Sequence, residues 1–182
     1  LLSAGESGRF RTSLYDSLTA RTQLVDTIPK SCCTMPDQQI VYVDMDDVLC
    51  DYSGAHDNAT RSQPDIAYPQ SIAGFFKGLV PISGAIEAVN KLRKRFDLFV
   101  LSAPSTRNPL CYTEKRIWIE NHFDYAFTKK LILSPDKGLF RGQFLIDDHT
   151  SGRGQERFDG ELIHFGSPRF PDWNSVLEYL AE

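Results

Sequence analysis

An Asp-x-Asp pair, Asp44 and Asp46, directly follows an apolar, β-branched run, and a second acidic pair, Asp147-Asp148, follows another. In extended chain, residues i and i+2 point to the same side, so the carboxyls of Asp44 and Asp46 can face one phosphorus atom. Asp44 is then placed to attack it, giving an aspartyl-phosphate. Asp46 is placed to protonate the leaving oxygen and later to deprotonate a water. Gathering Asp44, Asp46, Asp147 and Asp148 costs about 4 kcal/mol per close pair at an effective dielectric of roughly 20. A hard divalent cation removes that cost, and Mg²⁺ typically takes one or two carboxylates, waters and phosphate oxygens. Ser102 and Lys137, each close behind an apolar run, complete an anion site beside the metal.

These residues need elements to hold them. Apolar runs at 40–43, 97–101, 131–133, 143–146 and 161–165 read as strands. Helical spacing covers 84–96 and 112–123, and a closing helix follows Asp172 with Trp173, Val176, Leu177 and Leu180 on one face. Strands alternating with helices predict an α/β fold with a doubly wound, Rossmann-like parallel sheet, and such sheets bind ligands at their carboxyl edge. Residues 49–80 look irregular and predict a small cap inserted after the first strand. Residues 1–34 differ in composition and read as an extension, with a short amphipathic helix near Phe10, Leu14 and Leu18, and the compact domain as 35–182.

Composition removes several classes. The chain has 182 residues, 20 Lys plus Arg against 24 Asp plus Glu, and a formal charge of −4. That balance argues against a nucleic-acid polymer as partner, and no apolar run approaches the roughly 20 residues of a membrane span. Cys32, Cys33, Cys50 and Cys111 have neither zinc nor redox spacing and read as free thiols. Residues 1–17 lack the features of a secretory signal, so a cytoplasmic location is expected. Oligomeric state is left open.

The segment from Asp44 to Leu49 resembles the first motif of the haloacid dehalogenase (HAD) superfamily, with Ser102, Lys137 and Asp147-Asp148 similar to its second, third and fourth. The stretches 81–85, 111–120 and 144–148 resemble the 5′(3′)-deoxyribonucleotidases within it. The resemblance implies a Mg²⁺-dependent phosphomonoesterase acting on (deoxy)nucleoside monophosphates. It makes Asp44 nucleophile and metal ligand, and Asp46 general acid and base with its backbone carbonyl on the metal. Ser102, Ala103 and Lys137 hold the phosphate, and Asp147 and Asp148 complete the metal site. Two departures stand out: Ser102-Ala103 replaces a Thr-Ser pair, and His149 replaces a basic residue.

A phosphatase of a sugar phosphate or another small metabolite is the alternative. A phosphorylatable receiver and a silent interaction domain are the readings from other classes, but a receiver carries its phosphorylated Asp alone on a middle strand. Tyr52, Phe75 and Phe76 offer either a stacking surface for a base or core packing. Tyr112, Glu114, Lys115 and Trp118 read as packing on a helix, and Gly152-Arg153-Gly154 as a turn; Arg107, in the loop after Ser102, offers either a contact to a second substrate charge or, more commonly for a loop arginine, a solvent-facing cation. Lys129 and Lys130 precede their strand and belong at the opposite edge.

Overall fold

The structure is a computed structural model and describes residues 38–181; the extension and the short helix expected over residues 1–34 fall outside them. Strand β1 (Ile40–Val43) is central, with β2 (Asp97–Ser102) and β3 (Leu131–Leu133) on one side. Strands β4 (Phe144–Asp147) and β5 (Glu161–His164) lie on the other, giving the order β3-β2-β1-β4-β5. All four pairings are parallel. Alternate residues of β1 serve opposite faces: Val41 and Val43 join the larger core, while Tyr42 packs with Leu101, Leu145 and Phe158. Both faces are therefore covered, which is why these strands read as unbroken apolar runs.

The helices are α1 (Tyr52–Ser62), α2 (Ala85–Leu92), α3 (Cys111–His122), α4 (Tyr125–Thr128) and α5 (Trp173–Ala181). Buried Ala85, Ala88, Val89 and Leu92 form the α2 stripe. The helix stops at Leu92 rather than running to Phe96, because the amides of Arg95 and Phe96 both fold back onto the Leu92 carbonyl. Asp172 caps α5 by accepting from the Ser175 amide at 3.0 Å.

The irregular reading of 49–80 is corrected by α1. No residue of this 11-residue helix is buried, so its sequence carries no apolar stripe to detect. Its start is fixed instead by Asp51, whose carboxylate accepts from the Gly54 amide at 2.8 Å. Short turns at Pro69–Ser71 and Phe76–Gly78 lead back to α2. Among the described residues no helix is long and apolar enough to cross a membrane.

Candidate active site

The sheet order reverses between β1 and β4: the chain leaves β1 towards β2 and reaches β4 only after β3. Such a switch point opens a crevice at the carboxyl edge of the sheet. Val43 is in register with Ile146, and the Asp44 amide donates to the Ile146 carbonyl at 2.9 Å. Asp44 and Asp147 therefore leave adjacent strands side by side. Lys137 spans them, its Nζ 2.8 Å from Asp44 Oδ2 and 2.5 Å from Asp147 Oδ2. Burial opposes the Lys137 charge, but Asp44 and Asp147 outweigh it and raise its pKa above the ordinary lysine value.

After β1 the chain coils tightly, with the Leu49 and Cys50 amides both donating to the Met45 carbonyl. Asp47 takes a left-handed conformation at φ 54, and its carboxylate is held by the Ser53 amide and hydroxyl at 2.8 and 2.6 Å. The coil brings Asp44 and Asp46 to one cavity of about 530 Å³, which Lys137, Ala103, Asp148 and Tyr52 also line. Lys129 and Lys130 lie at the opposite edge as expected, with Lys130 Nζ 2.7 Å from Asp97.

Two of the expected residues lie behind the cavity wall. Ser102 is fully buried, and its Oγ accepts from Lys115; the wall at that strand end is Ala103 to Arg107. Asp147 is fully buried, and its oxygens accept from Lys137, from Gln155 Nε2 at 3.2 and 3.3 Å, and from the His149 amide at 2.9 Å. Asp148 is the member of the pair that faces the cavity, with Oδ2 2.7 Å from His149 Nδ1. Burial, with Asp44 and Asp147 nearby, pushes the Asp148 carboxyl up to about 6, partly offset by His149.

Lys115 is the functional side chain that reading α3 as packing missed. It is wholly buried, and its Nζ donates to Asp46 Oδ2 and Ser102 Oγ at 2.7 Å each and to the Ala103 carbonyl at 3.0 Å. Burial opposes this ammonium too, but Asp46 and Asp44 more than compensate and raise its pKa. Burial raises the Asp46 pKa, with Lys115 opposing. Asp46 Oδ1 is buried with no hydrogen-bond partner. The crowded carboxylates of Asp44 and Asp148, an all-oxygen donor set facing the same cavity, fit a hard divalent cation.

The neighbouring Glu114 grips the segment that leads from α1 to α2. Its Oε1 accepts from the Gly74 amide at 2.6 Å and its Oε2 from the Phe76 amide at 3.0 Å. Four residues on, Trp118 Nε1 donates to the Leu79 carbonyl at 2.7 Å. One face of α3 thus fixes the chain over 74–79 and seats Phe76 in the cavity wall. The Phe76 ring stacks on Tyr52, with centroids 6.1 Å apart, and lies 5.3 Å from Lys115 Nζ. Glu114→Gln strands one of the two amides, and urea unfolding is expected to show a loss of about 1–3 kcal/mol.

Residues 66–175 match the family model for "5' nucleotidase, deoxy (Pyrimidine), cytosolic type C protein". The match includes Ser102, Lys137 and the Asp147-Asp148 pair but begins after Asp44 and Asp46. A Vibrio phage KVP40 protein assigned as a 5′(3′)-deoxyribonucleotidase is 42% identical over 148 residues, covering 80% of this chain and 86% of its own. The human cytosolic-type 5′(3′)-deoxyribonucleotidase is 34% identical over 106 residues, covering 57% of this chain and 47% of its own. In fold, the chain resembles a magnesium-bound Bacillus subtilis protein assigned as a HAD-hydrolase. The TM-score is 0.57 at 13% identity, covering 80% of this chain and 99% of that one. With an extended family match and a close, near-full-length relative behind it, the chain belongs to the deoxy (pyrimidine) 5′-nucleotidases of cytosolic type C, a family of phosphoric monoester hydrolases.

Proposed function

We propose that the cavity hydrolyses (deoxy)nucleoside monophosphates through a phosphorylated Asp44. The observation that carries this reading is the convergence of Asp44, Asp46, Asp148 and Lys137 on one cavity at the sheet's switch point. An Asp44 carboxylate oxygen attacks phosphorus, and the bond from phosphorus to the sugar oxygen breaks. Asp46 gives its proton to that oxygen, and the nucleoside leaves. Asp46 then takes a proton from water, whose oxygen attacks the acyl phosphate, releasing inorganic phosphate and restoring Asp44. The raised Asp46 pKa suits a group that must carry a proton in the first step.

Lys115 orients the Asp46 carboxyl, and Lys137 offsets negative charge beside Asp44. The Asp44 and Asp148 carboxylates and the Asp46 main-chain carbonyl would hold Mg²⁺. When bound there, the ion supplies positive charge against the phosphoryl oxygens. Residues 50–80 act as a reduced cap, with half-buried Tyr52 as the apolar wall on the nucleoside side and Phe76 packed behind it in the core. Cys50 and Cys111 are buried free thiols, which suits the reducing cytoplasm where we place the enzyme.

Phosphate release from deoxynucleoside monophosphates and from ribose 5-phosphate, each assayed with Mg²⁺, tests the reading. A kcat/KM advantage of about ten-fold or more for the nucleotides is expected, since the aromatic wall serves only a base. Equal values would favour a sugar-phosphate phosphatase. EDTA should silence turnover and excess Mg²⁺ restore it; activity that survives chelation would refute the metal assignment.

A further inference from the structure

Two arginines, Arg107 and Arg153, are among the residues lining the cavity; both are exposed, and neither has a carboxylate partner among the described residues. The acids around them are engaged: Asp44 with Lys137, Asp46 with Lys115, Asp47 with Ser53, and Asp148 with His149. Two cations facing one cavity repel each other, and a bound anion relieves that.

Both arginines are held by built structure. Arg153 sits between Gly152 and Gly154, at φ 95 and 85, conformations that side-chain-bearing residues rarely adopt. A Cβ on Gly154 would fall 2.1 Å from Asp136 Oδ1 and 2.7 Å from the Gly138 nitrogen, so this loop presses directly on the turn that carries Lys137. The Lys137 amide donates to the Arg153 carbonyl at 2.6 Å, and the Arg153 amide donates to Gln155 Oε1 at 2.8 Å. Gln155 Nε2 meanwhile holds Asp147. The Arg153 backbone is thereby pinned against the turn that carries Lys137, and its side chain is left to project from that fixed point. Arg107 comes from the loop after β2, its guanidinium carbon 3.7 Å from the centroid of the Tyr68 ring. Its neighbour Asn108 is buried and donates to the Gln70 carbonyl at 3.0 Å. A guanidinium stacked by its face keeps its N–H edge for an anion.

We propose that Arg107 and Arg153 form a second anion subsite that takes the distal phosphate of a nucleoside 3′,5′-bisphosphate while the other phosphate reacts at Asp44. The inference rests on the nucleotidase reading and extends it to a doubly phosphorylated substrate. A cavity of about 530 Å³ is within the range of small-molecule sites.

Calorimetric titration of the full chain carrying Asp44→Asn, with Mg²⁺, measures binding without turnover. Thymidine 3′,5′-bisphosphate is expected to bind about ten-fold tighter than thymidine 5′-phosphate, from added charge-assisted hydrogen bonds. Arg107→Ala and Arg153→Ala in that background should each bring the ratio of dissociation constants towards one. Arg95→Ala removes a cation over Phe96 at the far edge of the sheet and should leave the ratio unchanged. Equal affinity for the two ligands, or a preference that persists in both cavity variants, overturns the subsite and leaves the nucleotidase reading standing. A variant that binds neither ligand overturns the subsite, and the nucleotidase reading falls with it if the parent chain releases no phosphate from thymidine 5′-phosphate.

Discussion

Asp44→Asn is expected to lower kcat by about four orders of magnitude or more, for a deoxynucleoside monophosphate and for a simple aryl phosphate alike. An amide oxygen is a poor nucleophile, and without the attack no acyl phosphate forms. The substitution keeps the shape of the side chain, and Lys137 retains Asp147 as a partner. It also removes a charge that raises the proton affinity of Asp147 and Asp148. Stability should therefore stay within about 1 kcal/mol of the parent, read by urea unfolding. Rapidly quenched parent enzyme should release phosphate on treatment with hydroxylamine, and the variant should not. Turnover near the parent's level would remove Asp44 from the nucleophile's role.

Lys115→Met is expected to damage both folding and catalysis. Methionine can fill the slot, but Asp46 Oδ2, Ser102 Oγ and the Ala103 carbonyl all lose their donor. The cost should be about 2–4 kcal/mol, that of breaking a buried ion pair and stranding its acceptors. Activity should fall by about a hundred-fold or more, because a carboxyl that drifts by an ångström no longer meets the proton it must transfer. Pairing the change with Asp46→Asn separates the two effects. If Lys115 stabilises the fold through Asp46, the double variant should lose less stability than the sum of the singles by about 1 kcal/mol or more. Strict additivity would mean that the two side chains do not act as a unit.

The strands and their chemically loaded ends were legible because a two-sided parallel sheet demands apolar runs, and whatever follows a run emerges at the carboxyl edge. Asp44, Asp46, Lys137 and Asp148 are reached that way. Lys115 is not, because on sequence it reads with Tyr112, Glu114 and Trp118 as packing on a helix. The buried stripe of α3 is Cys111, Glu114, Lys115, Trp118 and Ile119, the i, i+3, i+4, i+7, i+8 pattern with two charges inside it. Charged residues on a buried stripe were the available signal. Gln155 left no such trace, since a glutamine eight residues beyond Asp147 belongs to no periodic pattern. Helix α1 escaped because its order comes from a cap and local bonds rather than from burial.

The chain has two tryptophans, and each indole N–H is tied to a segment flanking the cavity. Trp118 donates to the Leu79 carbonyl just before α2, and Trp173 to the Val48 carbonyl in the coil after β1. Intrinsic emission therefore reports on these two neighbourhoods, without any attached label. Trp118 also stacks on His122 with ring centroids 4.2 Å apart, a contact that makes its quantum yield sensitive to the imidazole. Replacing either indole by phenylalanine would leave a single-channel fluorimeter for the other.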